Sequence, residues 1–437
     1  MKIYLSFFLI ILGTVGLNTI ARKYLKRRWN LWLAYGIPGL CMIVFMRTAS
    51  QHFELFGDFD VGYYPAGRLI LENPSRLYDI PENELMPGFV NIPIIALLFT
   101  PFSLFSIHKS HVLFVLLSIL SSCVACYFLA KLTKVFGFEL IALIGFFIIN
   151  GPLYNSILEG NSTHFVFLLV LAGFFCSQTK REIWSGVLLA IAALVKIPLF
   201  LLGIYYVLRG RWRVVVGFSS ALLATVAASV LLFGLELHMT WFEQCIQRYA
   251  GKPMAAYNVQ SVDGFLARVL VSSNLTNWLP LEVGWEFKLL RYTLLSLLVG
   301  TTLWVCWRSN KPRSLEEENL EFSIALCLAL VISPVSWTHY YLFLLLPLSL
   351  YLGNQLAVMK GRLWSSLLGV CTLSISLPVI VAEPANPVLR VVYSKLFISH
   401  YFFGGVLLLG VLLAVRWQSA KRLRLSQVNN TEVKVAG

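Results

Sequence analysis

Two carboxylates two residues apart, Asp58 and Asp60, are followed by Tyr63 and Tyr64 in the first long polar break of a chain that is otherwise strongly apolar. A carboxylate there can serve as a general base that takes a proton from an attacking hydroxyl, and a pair at this spacing could instead hold Mg²⁺ or Mn²⁺ through substrate oxygens. Two acids at this spacing also recur by chance, and a solvated loop would carry them without chemistry. Position favours chemistry. The break follows directly on a hydrophobic run, which puts the acids at the mouth of a helix bundle, facing water and a membrane-embedded molecule together.

Other polar groups stand alone in apolar surroundings. Lys196, in Ala193-Leu194-Val195-Lys196-Ile197-Pro198, is far from either flanking basic cluster. It reads either as a lysine snorkelling from a helix end or as a phosphate contact held where a helix breaks. Glu159-Gly160-Asn161-Ser162-Thr163-His164 opens an apolar run with groups that could bind sugar hydroxyls or cap a helix. Ser333-Pro334-Val335-Ser336-Trp337-Thr338-His339-Tyr340-Tyr341 joins two more such runs. Its aromatics fit an interface belt, while His339 can donate to a phosphate oxygen or exchange a proton.

The elements that must position these groups are membrane helices. Of 437 residues, 58% are hydrophobic and 13% charged, far below the roughly 25% charged of soluble domains. The net charge of +14 belongs to cytoplasmic loops and anionic headgroups rather than to nucleic acid. The eight cysteines show no metal or disulfide spacing and read as small core residues.

Apolar runs near 3–21, 31–47, 111–130, 139–157, 162–177, 183–195, 197–208, 214–234, 289–307, 322–335, 340–355, 363–381 and 399–416 predict about thirteen spans, and 92–107, broken by Pro93 and Pro101, predicts a re-entrant segment. The runs 183–195 and 197–208 are shorter than a full crossing of roughly 20 residues, so they predict half-helices meeting at Lys196 and Pro198. The alternation of basic loops places the N-terminus outside and the basic C-terminal tail in the cytoplasm of a multi-pass plasma-membrane protein. Asp58, Asp60, Glu159, Asn161, His164, Lys196, Asn258, Gln260, Arg268, Trp337 and His339 then share the extracytoplasmic face. The expected organisation is an extra span and basic loop over 1–30, a core over 31–355 with outer loops 48–90 and 235–287, and C-terminal spans with a basic tail over 356–437.

The ordered set Asp58-Phe59, Tyr63-Tyr64-Pro65-Ala66, Leu77-Tyr78, Pro93, Ala96-Leu97-Leu98, Pro101, Gly160-Asn161, Lys196-Ile197-Pro198, Arg209-Gly210-Arg211-Trp212, Gln260-Ser261, Gly264, Arg268 and Ser333-Pro334-Val335-Ser336-Trp337-Thr338-His339 resembles glycosyltransferase family 87. The resemblance covers roughly residues 55–355. It implies an all-α GT-C bundle whose extracytoplasmic cavity takes a polyprenyl-phosphate sugar, mannose in the related enzymes, and a lipid or glycan hydroxyl acceptor among membrane lipids.

The family's base maps on Asp58, with Asp60 as the alternative because this chain has one more residue before its tyrosines. Lys196, His339 and Arg268 are the implied donor-phosphate contacts, and Tyr63, Tyr64, Glu159, Asn161, His164, Asn258, Gln260 and Trp337 the implied sugar or acceptor contacts. No cofactor is expected, and a base mechanism needs no metal. Glu159-Gly160-Asn161 stands where many members have Gly-Gln, and Thr338 where many have Asp.

Two other classes share part of this pattern. A polytopic transporter or flippase would also have broken helices and midplane charges, with an internal repeat that this chain lacks. A ligase of the O-antigen type would show a cluster of outer arginines, which is not evident.

Overall fold

The structure is a computed structural model that describes residues 55–80, 87–148, 150–308, 312, 314–358, 362–379, 381 and 384–435. The expected spans 3–21 and 31–47 lie outside these residues. What is described is helical, with one isolated antiparallel bridge, Val259 to Trp337, and no strand among the described residues.

Four helical stretches are long and apolar enough to cross a bilayer: Ile107–Thr133, Trp212–Tyr249, Trp285–Trp307 and Pro387–Ser419. A fifth is counted if Glu139–Phe147 and Gly151–Leu158, bent by 41° at their break, form one span. Their outward faces carry bare apolar side chains, Leu120 59% and Leu231 85% exposed, as lipid contact requires. The remaining apolar helices are shorter: Pro93–Ser103, Thr163–Gln178, Glu182–Val195, Ile197–Leu208, Thr338–Leu352 and Leu363–Ser376.

Of these short helices Thr338–Leu352 is almost wholly buried, while others keep bare apolar side chains, as at Trp184 and Leu363. Glu182–Val195 packs tightly on Trp212–Trp241, where a Cβ at Gly186 would run into the Val214 carbonyl and one at Gly217 into that of Ile183. Small residues let two helices approach to backbone contact where there is no hydrophobic drive between lipid-solvated surfaces. The inner helix Leu315–Ile332 is buried along nearly its whole length, and so is the 3₁₀ turn Thr338–Leu344 that follows it.

The segment expected to be re-entrant is a 3₁₀ stretch, Pro93–Phe99, and one α-turn, Thr100–Ser103, ahead of the long helix Ile107–Thr133. Pro93 and Pro101 each open one of these short pieces, where a missing N–H costs nothing. The expected outer loop 235–287 is partly helical, since a second helical piece follows a kink at the non-helical Gly234 and reaches Trp241, and Val262–Leu270 forms a helix of its own.

Candidate active site

Three chain breaks meet at one place. The first follows the helix Gly151–Leu158, which Asn150 caps by accepting from the Leu153 N–H at 3.1 Å. The helix ends in a left-handed turn at Gly160, φ +68°, with the Asn161 N–H donating to Ser156 O at 2.7 Å. A side chain at Gly160 would strike the Phe59 Cβ, because the Asp58 stretch lies directly against this turn. Backbone bonds fix it there: Phe56 N–H to Leu158 O at 2.6 Å and Asp58 N–H to Glu159 O at 2.9 Å.

The second break is Lys196. The helix Glu182–Val195 stops there in an extended conformation, φ −129° and ψ 92°, and Pro198 starts the next turn. The carbonyl of Val195, released by the break, accepts from the Asn91 side-chain amide at 2.8 Å. A non-helical backbone inside a membrane bundle requires such a substitute partner. The third break is the turn before His339. Segments 258–260 and 336–338 pair through Gln260 N–H to Ser336 O at 2.6 Å and Thr338 N–H to Asn258 O at 2.8 Å.

At the meeting point the Asn161 side-chain amide donates a short hydrogen bond to Asp58 Oδ2. Its Oδ1 accepts from the Lys196 ammonium at 3.0 Å, the Thr163 N–H at 3.0 Å and the Thr163 hydroxyl at 2.7 Å. The ammonium also lies 4.9 Å from the centre of the Tyr340 ring, within cation–π range. His339 Nδ1 is 3.2 Å from Glu159 Oε2, and its buried Nε2 has no partner among the described residues.

Exposure is graded across this cluster: Asp58 is exposed, Glu159 half-buried, and Asn161, Lys196 and His339 buried. Asp58 keeps accessible surface although protein surrounds it. That enclosure raises its carboxyl above the ordinary carboxylate range, and the neighbouring Glu159 adds to the rise. Burial pushes Glu159 up to about 7, with Lys196 pulling the other way.

Not every residue singled out by the sequence faces this cluster. Asp60 turns to His111, whose Nε2 is 2.6 Å from its Oδ1 and whose ring stacks on Phe56. Arg268 is fully buried and donates to the carbonyls of Ala256 and Val259 and to the Ser399 hydroxyl, so its guanidinium holds the fold of the 253–260 loop. Gln260 is likewise consumed, donating to Tyr257 O and Ile398 O.

Tyr64 donates to Phe105 O, while Tyr63 stacks on Phe99 and meets the Ser162 hydroxyl at 3.2 Å. His164 sits behind Asn161 with Nδ1 2.9 Å from the Ser156 hydroxyl. Asn258 accepts from the Trp278 indole, and Trp337 packs on the Met254–Val259 cluster. Thr163 and Tyr340 also belong to the site, and each lies in a stretch singled out in the sequence without being named as a site residue.

Asp58, Glu159 and His339 bring their ligand atoms within 4.8 Å of one another, a donor set that a divalent cation could use. The Lys196 ammonium already supplies positive charge at that point through Asn161.

The sequence model described as glycosyltransferase family 87 matches residues 89–334, more than half of the chain. The match contains Glu159, Asn161 and Lys196, and the fold brings Asp58 and His339, which lie outside it, into contact with them. A curated relative is 25% identical over 195 residues, 44% of this chain: the polyprenol-phosphate-mannose-dependent alpha-(1-2)-phosphatidylinositol pentamannoside mannosyltransferase of Mycolicibacterium smegmatis. The match spans 44% of that relative's length.

Proposed function

The chain belongs to glycosyltransferase family 87, and from that premise we propose that it is an integral-membrane hexosyltransferase. It moves a sugar, mannose by the name of its relative, from a polyprenyl-phosphate donor to a hydroxyl of a lipid or glycan acceptor. Transfer takes place on the extracytoplasmic face of the plasma membrane, in a GT-C bundle of about thirteen spans counted from the apolar runs.

The observation that carries the reading is the bridge through Asn161, which joins an exposed carboxylate to a buried ammonium within two hydrogen bonds. One end suits an acceptor hydroxyl and the other an anionic donor. The acceptor oxygen attacks the anomeric carbon, its proton passes to Asp58, and the bond from that carbon to the phosphate oxygen breaks on the opposite face, inverting the configuration. The electron pair leaves with the polyprenyl phosphate, which gains one negative charge beside Lys196. In its protonated form Glu159 donates to His339 Nδ1, which leaves an Nε2–H on the ring to donate to the same phosphate. The base mechanism needs no cofactor, and chelation by EDTA should leave the rate unchanged.

Asp58→Asn keeps the size and the Asn161 contact region while losing basicity. Turnover should fall by about 10²- to 10⁴-fold with donor binding nearly intact, whereas Asp60→Asn, which loses a contact to His111, should retain most activity. An essential Asp60 beside a dispensable Asp58 would move the base by two residues, and two dispensable aspartates would refute the mechanism.

A further inference from the structure

We infer that Asn161 is a positioning residue, whose amide holds the Asp58 carboxylate in its reactive orientation, and is not a contact to the sugar. The inference rests on Asp58 being the base.

The amide has no freedom to turn over. Its Oδ1 faces three donors, the Thr163 N–H, the Thr163 hydroxyl and the Lys196 ammonium. A flipped amide would press its NH₂ against the Thr163 N–H and the Lys196 ammonium, neither of which can accept a hydrogen bond. The NH₂ must therefore point at Asp58 Oδ2, where the short bond is found. Asn161 is 4% exposed, so its polar atoms are committed to protein partners and have little surface left for a substrate.

Asp58 by contrast is exposed and has few restraints of its own. Its backbone N–H is tied to Glu159 O and its side chain to Asn161. Without the second tie no hydrogen bond fixes the carboxylate's side-chain torsions, and a general base must meet its proton at hydrogen-bond distance. Asn161 takes one carboxylate oxygen and leaves the other for the proton.

The test is a double-mutant cycle on the purified full chain, with turnover and binding of a labelled polyprenyl-phosphate hexose measured separately. Asn161→Ala should lower kcat about 10- to 100-fold, shift donor Kd by less than about threefold, and cause no further loss in an Asp58→Asn background. A loss that multiplies with Asp58→Asn, an equal loss in donor affinity, or an unchanged kcat would each overturn the inference. Should Asn161→Ala fail to fold, Thr163 decides. Thr163→Val removes one donor from Oδ1 and should lower kcat a few-fold, whereas Thr163→Ser should not, and equal rates in the two would overturn it. An active Asp58→Asn enzyme would defeat the base reading itself, whereas an inactive Asp58→Asn beside a fully active Asn161→Ala would defeat the positioning role alone.

Discussion

Glu159 carries the most consequential charge state in the site. Its carboxyl is raised from 4.5 to about 7 because burial disfavours the anion. The folded protein therefore holds this proton more tightly than the unfolded chain, and stability must fall as pH rises from about 4.5 towards 7. The apparent Tm in detergent should drop between pH 5 and pH 8, and Glu159→Gln, which cannot ionise, should flatten that slope. A slope identical in the variant contradicts the assignment. At this scale the sequence was informative where a polar group stood alone. Asp58, Asn161, Lys196 and His339, isolated in apolar surroundings, come together in the fold. It was uninformative where a polar residue could serve the backbone equally well. Gln260 closes the 253–260 loop and Arg268 lies on the helix Val262–Leu270 that follows it, and their donors go to backbone carbonyls of Ala256, Val259, Tyr257 and Ile398. His111, which draws Asp60 aside, lies about fifty residues away in the chain and gave no signal.

The elements matter here through their breaks. The turn at Gly160 is the tightest of them, since it combines a positive φ with direct contact on Phe59. Gly160→Ala adds a left-handed penalty of about 1–2 kcal/mol and drives a methyl group into Phe59. It should lower the apparent Tm by several degrees and reduce turnover, because the Asp58 backbone hangs from Glu159 next door. A fully stable, fully active Gly160→Ala protein would show that the turn does not set the base. The interruption at Lys196 was legible from one charged residue and a proline inside an apolar run, and the helices on either side end and restart there. The pairing of 258–260 with 336–338 was not legible. It uses backbone groups between residues nearly eighty positions apart, and no side-chain pattern announces such a contact.

Across the whole molecule, charge is sorted along the bundle. Glu321 lies eleven residues before the end of the helix Leu315–Ile332, about 16 Å along its axis. There it joins Arg209 at 2.6 Å and the fully buried Arg416 at 2.8 Å. Arg209 is in turn separated from Lys196 by the length of the helix Phe200–Leu208. The acidic and histidine-bearing site and this arginine–glutamate network thus lie at opposite ends of the helix Phe200–Leu208. Single cysteines near Asp79 and Glu282, in an otherwise cysteine-free protein, should react with an impermeant reagent added from outside, and those near Lys180 and Arg424 should not. Labelling of the latter pair would invert the topology. The central claim is chemical, and reconstituted vesicles test it most directly. Purified protein given a polyprenyl-phosphate hexose labelled at the anomeric carbon, with a lipid acceptor, should form a glycosidic product whose anomeric configuration is opposite to that of the donor. The Asp58→Asn protein should form almost none. Movement of intact donor across the vesicle without transfer, retention of configuration, or equal product from the variant would contradict the account.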